Sequence, residues 1–87
     1  MAKVFIPAQW RDLSGGVAVV EIDAATVRQV IEALEVRFPG LSDRACEHGE
    51  IAAALAVSID GNISSRGMRA SVQPTSEVHF LPAIGGG

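Results

Sequence analysis

Residues 26–41 read TVRQVIEALEVRFPGL, and this stretch decides the fold. Thr26 is a good N-cap residue, and Gln29 stands three positions on, the spacing of a capping box. Val27, Val30, Ile31, Leu34 and Phe38 then recur at helical intervals and make one apolar stripe. Arg28, Gln29, Glu32, Glu35 and Arg37 fall mostly on the other side. Pro39-Gly40 stops the helix. Ion pairs along it, such as Arg28 with Glu32, are worth only tenths of a kcal/mol and carry no function. A single helix with one apolar stripe must bury it against one face of one sheet.

The flanking segments supply that sheet. Upstream, KVFIP (Lys3–Pro7) and VAVVEI (Val17–Ile22) are β-prone and short, and Pro7 suits a strand end. Residues 8–16, AQWRDLSGG, are expected to be a loop closed by Gly15-Gly16, so the two strands form an antiparallel hairpin. Downstream, residues 41–50 are polar and irregular, with room for one short turn. ALAVSID (Ala54–Asp60) reads as a third strand and Asp60-Gly61-Asn62 as a turn. Residues 63–75 are mixed, and Gln73-Pro74 breaks any strand there. EVHFLP (Glu77–Pro82) is the last strand, with Val78 and Phe80 on one face and His79 and Leu81 on the other. The order β-β-α-β-β has the ingredients of a compact α+β roll of the β-grasp kind.

Bulk properties narrow the function. Eighty-seven residues fit one domain, with little room for both a core and a deep catalytic cleft. The 48% apolar fraction supports a real core. A formal charge of −3 argues against a nucleic-acid partner. The only basic pair close in sequence, Arg66 and Arg69, is read most simply as a solvated loop. Cys46 is the sole cysteine, which excludes an internal disulfide and fits a reducing compartment. The longest apolar run, Ile51–Val57, is too short to span a bilayer, and no charged-then-apolar leader opens the chain. A soluble, cytoplasmic protein with no membrane partner is expected.

The chain closes on FLPAIGGG, residues 80–87. Three glycines after an apolar strand cannot pack, yet they can enter a narrow site, because residues without Cβ allow close backbone approach. Extended, they reach roughly 10 Å beyond the last packed residue, at about 3.3–3.6 Å each. Pro82 restricts the backbone where the strand ends. The α-carboxylate of Gly87 is ionised at neutral pH, with an ordinary pKa of about 3.3–3.7. No acid/base dyad accompanies it, and a free-standing enzyme is the least favoured reading.

Three segments together resemble the MoaD/ThiS family of ubiquitin-like sulfur carriers. Lys3, Val4, Ala8, Arg11, Asp12, Leu13 and Gly15 match the family's opening pattern. TVRQVIEALEVRFPGL is similar to its helix and Pro-Gly-Leu exit. EVHFLPAIGGG is similar to its last strand, proline and terminal Gly-Gly. Length and the opening motif lean towards the MoaD-like branch. Two places depart from the pattern. Before the last strand, Pro74-Thr75-Ser76-Glu77 keeps only the glutamate of the family's acidic turn, so the turn must close differently. Ser58 stands where an asparagine is common.

The resemblance implies a ubiquitin-like β-grasp of four to five strands in a mixed sheet, with one helix on one face. Residues 1–87 would form one domain and 83–87 a flexible tail. It further implies that an E1-like adenylyltransferase/sulfurtransferase, which supplies the ATP site, adenylates Gly87. Displacement of AMP by sulfide or persulfide would leave a thiocarboxylate, which donates sulfur to a synthase of molybdopterin-synthase type. Gly85 and Gly86 would thread the partner's active site, and Pro7, Ile63 and Leu81 match its partner-binding face. No cofactor is expected to bind the carrier itself. Two alternatives stay open: a ubiquitin-like modifier joined through Gly87 to target lysines, and a non-covalent β-grasp subunit with an incidental tail.

The remaining residues have plainer readings. Cys46, His48 and Glu50 alternate in CEHGE, but a metal site would need ligands from elsewhere, so a solvated loop is expected. Trp10 is expected to pack against the core edge.

Overall fold

A computed structural model describes residues 1–83 of the chain. Strands β1 (Ala2–Phe5), β2 (Val19–Ile22), β5 (Leu55–Ile59), β6 (Asn62–Ile63) and β7 (Glu77–Pro82) form one sheet in the order β2-β1-β7-β5-β6. Strand β7 runs parallel to β1 and antiparallel to β5, so the last strand sits at the centre of a mixed sheet. Helix α2 (Val27–Arg37) covers one face. This is the expected β-grasp, with the fuller count of strands.

The helix begins where the sequence places it. The Thr26 hydroxyl accepts from the Gln29 amide at 3.3 Å, while the Gln29 side chain accepts from the Ala25 amide at 2.7 Å. The reciprocal bond thus lands one residue before the N-cap, where a standard capping box would return to the cap itself. Val27, Val30, Ile31 and Leu34 share one buried core with Val4, Val20, Ile22, Val57, Val78 and Phe80 from the strands and Ile6 just beyond β1. Trp10 joins this core at 3% exposure, its ring 5.2 Å from that of Phe80. The packing role expected for Trp10 therefore holds.

Several expectations need correction. Residues 8–16 are a 3-10 turn (Ala8–Trp10) running into the one-turn helix α1 (Arg11–Ser14), capped by Gly15 at φ 65°. The first strand ends at Phe5, so Pro7 lies beyond it; the second strand begins at Val19, and the third spans 55–59. Residues 41–50 are more ordered than their polarity suggested: α3 (Leu41–Ala45) leads into a hairpin of β3 (Cys46–Glu47) and β4 (Glu50–Ile51). A carboxylate makes α3 possible. Glu35 accepts from the Gly40 and Ser42 amides and from the Ser42 hydroxyl, satisfying donors at the start of that helix. These bonds hold the Glu35 carboxyl below its ordinary value.

The altered turn before β7 closes on Asp60. Asp60 and Gly61 adopt φ 52° and 85°, as a two-residue hairpin loop between β5 and β6 requires. One Asp60 carboxylate oxygen accepts from the Glu77 amide at 2.9 Å and the other from the Ser76 hydroxyl at 3.0 Å. Ser76, 1% exposed, also accepts from the Gln73 amide. The start of the central strand is thereby pinned to the neighbouring hairpin.

Candidate functional site

The period-two alternation of β7 fixes what lies near its exit. Val78 and Phe80 point into the core, and His79 and Leu81 onto the bare face of the sheet. Strand register then aligns a row across all five strands on that face: Val19, Phe5, His79, Ser58 and Ile63 are successive cross-strand partners. Phe5 and His79 stack face to face, their ring centroids 4.1 Å apart and their planes 6° from parallel. Val19 and Ile63 are exposed at the two ends of the row.

Leu81 stands beside this row, towards the exit, paired with Ala56. Two grooves meet at Leu81 and Pro82. One, of about 340 Å³, is lined by Phe5, Pro7, Arg11, Val19 and His79 among others. The other, of about 550 Å³, is lined by Ala56, Ile63 and Ala83. Pro7, Ile63 and Leu81, picked from the sequence, thus come together around the end of the central strand. Phe5, Val19 and His79 complete the surface. Register was the missing signal: it took the parallel pairing of β1 with β7 to bring Phe5 onto His79.

This surface has the features of a docking face: it is open and mostly apolar, with Arg11 and His79 as polar members of its lining. The exposed hydrophobes Val19, Leu81 and Ile63 border its two grooves, and apolar surface grouped around a groove is of the kind that marks interaction sites. The chain leaves it at a defined point, because Pro82 pairs with Leu55 and the Ala83 amide still donates to the Ala54 carbonyl at 2.9 Å. Gly85, Gly86 and Gly87, singled out for the chemistry, lie outside the described residues.

Elsewhere the chemistry is sparse. Among the described residues no group of three or more His, Cys, Asp or Glu could hold a metal ion. His48 and Gly49 form the tip of the β3–β4 hairpin, between the paired residues Glu47 and Glu50. Cys46 is half-buried with its Sγ 4.0 Å from the Met68 sulfur. Burial pushes its thiol up, against a smaller opposing pull from the Arg28 charge, which disfavours the reactive thiolate. No helix among the described residues is long and apolar enough to cross a membrane.

Comparison with known proteins agrees with this architecture. Residues 4–87 match the ThiS family. Among curated proteins nothing matches at a significant level. Among solved structures, the chain is similar to one in the crystal structure of the Amycolatopsis orientalis BexX/CysO complex. The two are 29% identical, with 100% of both chains covered and a TM-score of 0.91. It is also similar to Mycobacterium tuberculosis CysO, described as an antigen, at 25% identity, covering 97% of this chain and 100% of that one, with a TM-score of 0.89. The small archaeal modifier protein 1 of Methanosarcina acetivorans shares the fold at 22% identity, covering 99% of this chain and 95% of that one, with a TM-score of 0.79. With a family match over nearly its whole length and this β-grasp around a central last strand, the chain belongs to the ThiS family of ubiquitin-like sulfur carriers.

Proposed function

We propose that the protein carries sulfur as a thiocarboxylate on Gly87. The Gly87 carboxylate attacks the α-phosphate of ATP on an E1-like adenylyltransferase/sulfurtransferase, releasing pyrophosphate and forming an acyl-adenylate. Sulfide, or a persulfide followed by reductive release, displaces AMP and leaves the C-terminal thiocarboxylate. That sulfur is then donated to an acceptor synthase in cofactor or metabolite biosynthesis. The resemblance to the MoaD-like branch points to an acceptor of molybdopterin-synthase type. The carrier needs no cofactor of its own, since ATP belongs to the activating enzyme.

The observation that carries this reading is the position of β7. The strand leading to the terminal residues is central in the sheet, buried at Phe80, and ends beside a bare apolar face. A partner docked on that face receives the chain end next to the docking surface, which lowers the cost of orienting it. That a structurally similar chain was crystallised in the BexX/CysO complex supports docking of a partner protein.

The test is the intact mass of the carrier after incubation with ATP, a sulfide source and its cognate activating enzyme. The proposal expects a gain equal to exchanging one oxygen for sulfur, lost in a variant lacking Gly86-Gly87. A covalent ladder on target proteins without that mass gain would favour the modifier reading instead.

A further inference from the structure

Three arginines that the sulfur-carrier reading does not use converge on the helical side of the molecule. Arg28 projects from the first turn of α2, Arg66 caps the start of the 3-10 turn Gly67–Arg69, and Arg69 is that turn's last residue. Together they line an open groove of about 750 Å³, whose other walls include Ile51, Met68 and Glu50. In 3-10 geometry, side chains three apart eclipse, so Arg66 and Arg69 share one side of the turn.

The turn is firmly held. The Arg69 amide donates to the Arg66 carbonyl and the Ala70 amide to the Gly67 carbonyl, each at 3.1 Å. The Ser64 hydroxyl accepts from the Arg66 amide at 3.1 Å, and the Val27 amide donates to the Ala70 carbonyl at 3.0 Å, tying the turn to α2. The backbone that carries three exposed cations is therefore fixed on a chain of net charge −3. The fold does little to neutralise them. Among the described residues the only ion pair is Arg44 with Asp12, and none of the three guanidiniums makes a hydrogen bond. The arginines whose side chains do form hydrogen bonds serve the fold: Arg37 donates to the Glu21 carbonyl, and Arg44 to the Gln9 carbonyl and the Asp12 carboxylate.

We propose that this groove is a second docking surface, which takes an acidic segment of a partner protein. Carboxylates of such a segment would pair with Arg28, Arg66 and Arg69, and an apolar residue between them would rest on Ile51 and Met68. Guanidinium suits this pairing because its planar fork matches a carboxylate with two parallel bonds. A small compact anion fits less well, since the cations stand on two elements across an open groove and a compact ion reaches fewer of them. A nucleic acid fits less well because three arginines around one short groove do not make the extended basic stripe that tracks a phosphate backbone. The surface lies on the helical layer, whereas the Phe5–His79 face is the bare side of the sheet. A partner could therefore hold both at once. Its charge pairing would act chiefly on the association rate and would weaken as salt screens it. It is independent of the chemistry at Gly87, so its failure leaves that proposal standing.

The test uses the full chain and a fluorescent, amidated peptide of glutamates interrupted by leucines, with a lysine-for-glutamate peptide as the control. The proposal expects the acidic peptide alone to bind, with amide NMR shifts at Arg28, Ile51 and residues 66–69 and none at Phe5 or His79. Affinity should fall with added salt, and Arg66→Glu with Arg69→Glu should weaken it by about tenfold or more. Arg37→Glu changes the net charge as much as Arg69→Glu but lies outside the groove, and it should leave binding within about twofold. Three results would overturn the proposal: no binding, equal losses in Arg37→Glu and Arg69→Glu, or displacement of the peptide by inorganic phosphate at equal ionic strength.

Discussion

At the scale of single residues, two carboxylates hold this fold at points where the backbone alone would not. Asp60 occupies the left-handed region, which disfavours most side chains. It stays there because both its oxygens are engaged, tying the β5–β6 turn to the start of β7. Asp60→Ala is expected to cost about 1–3 kcal/mol in denaturant unfolding, through lost hydrogen bonds and a poorer left-handed residue. Asp60→Asn, which tolerates the same backbone and keeps one acceptor oxygen, should cost clearly less. Glu35 acts differently, since it supplies acceptors to the start of α3. Its pKa in the folded chain lies below the ordinary 4.5. Its contribution is therefore complete above that value and disappears as the pH falls through the folded pKa. Thermal melts of the native chain and Glu35→Gln should differ most near neutral pH and converge on acidification. A constant difference across the acid range would contradict that role.

At the scale of elements, α2 is the piece the rest depends on. Leu34 is fully buried, and Leu34→Ala is expected to cost about 2–5 kcal/mol. Val36, on the same helix, is 83% exposed, and Val36→Ala should change stability by no more than about 0.5 kcal/mol. Denaturant midpoints of the two variants check the contrast. This helix and strand β7 were legible in the sequence because each repeats its pattern: the 3.6-residue stripe of Val27, Val30, Ile31 and Leu34, and the alternation of Val78, His79, Phe80 and Leu81. Helices α1 and α3 were not. A single turn has no period to read, and α3 depends on the Glu35 carboxylate and on Arg44, which reaches back to Asp12 and the Gln9 carbonyl. The same limit applies to the sites. Leu81 and Pro7 could be picked out near the last strand, but the Phe5–His79 stack depends on a parallel pairing of chain ends. The gathering of Arg28 with Arg66 and Arg69 depends on a turn docking against a helix some forty residues away in sequence.

At the scale of the whole molecule, the two layers divide the work. The helical layer completes the core under a central last strand, and the bare face of that strand's sheet is left apolar where the chain departs. Leu81 is exposed, so Leu81→Asp should leave the melting temperature nearly unchanged while slowing activation by the cognate enzyme by about tenfold or more. An equally fast variant would remove this face from the docking account. In the proposed function this fold presents the Gly87 carboxylate for activation. The most direct measurement is the intact mass of the carrier after reaction with ATP, sulfide and a demonstrably active cognate activating enzyme. The expected result is a gain equal to replacing one oxygen by sulfur, localised by fragmentation to the terminal glycine. An unchanged mass under those conditions would contradict it.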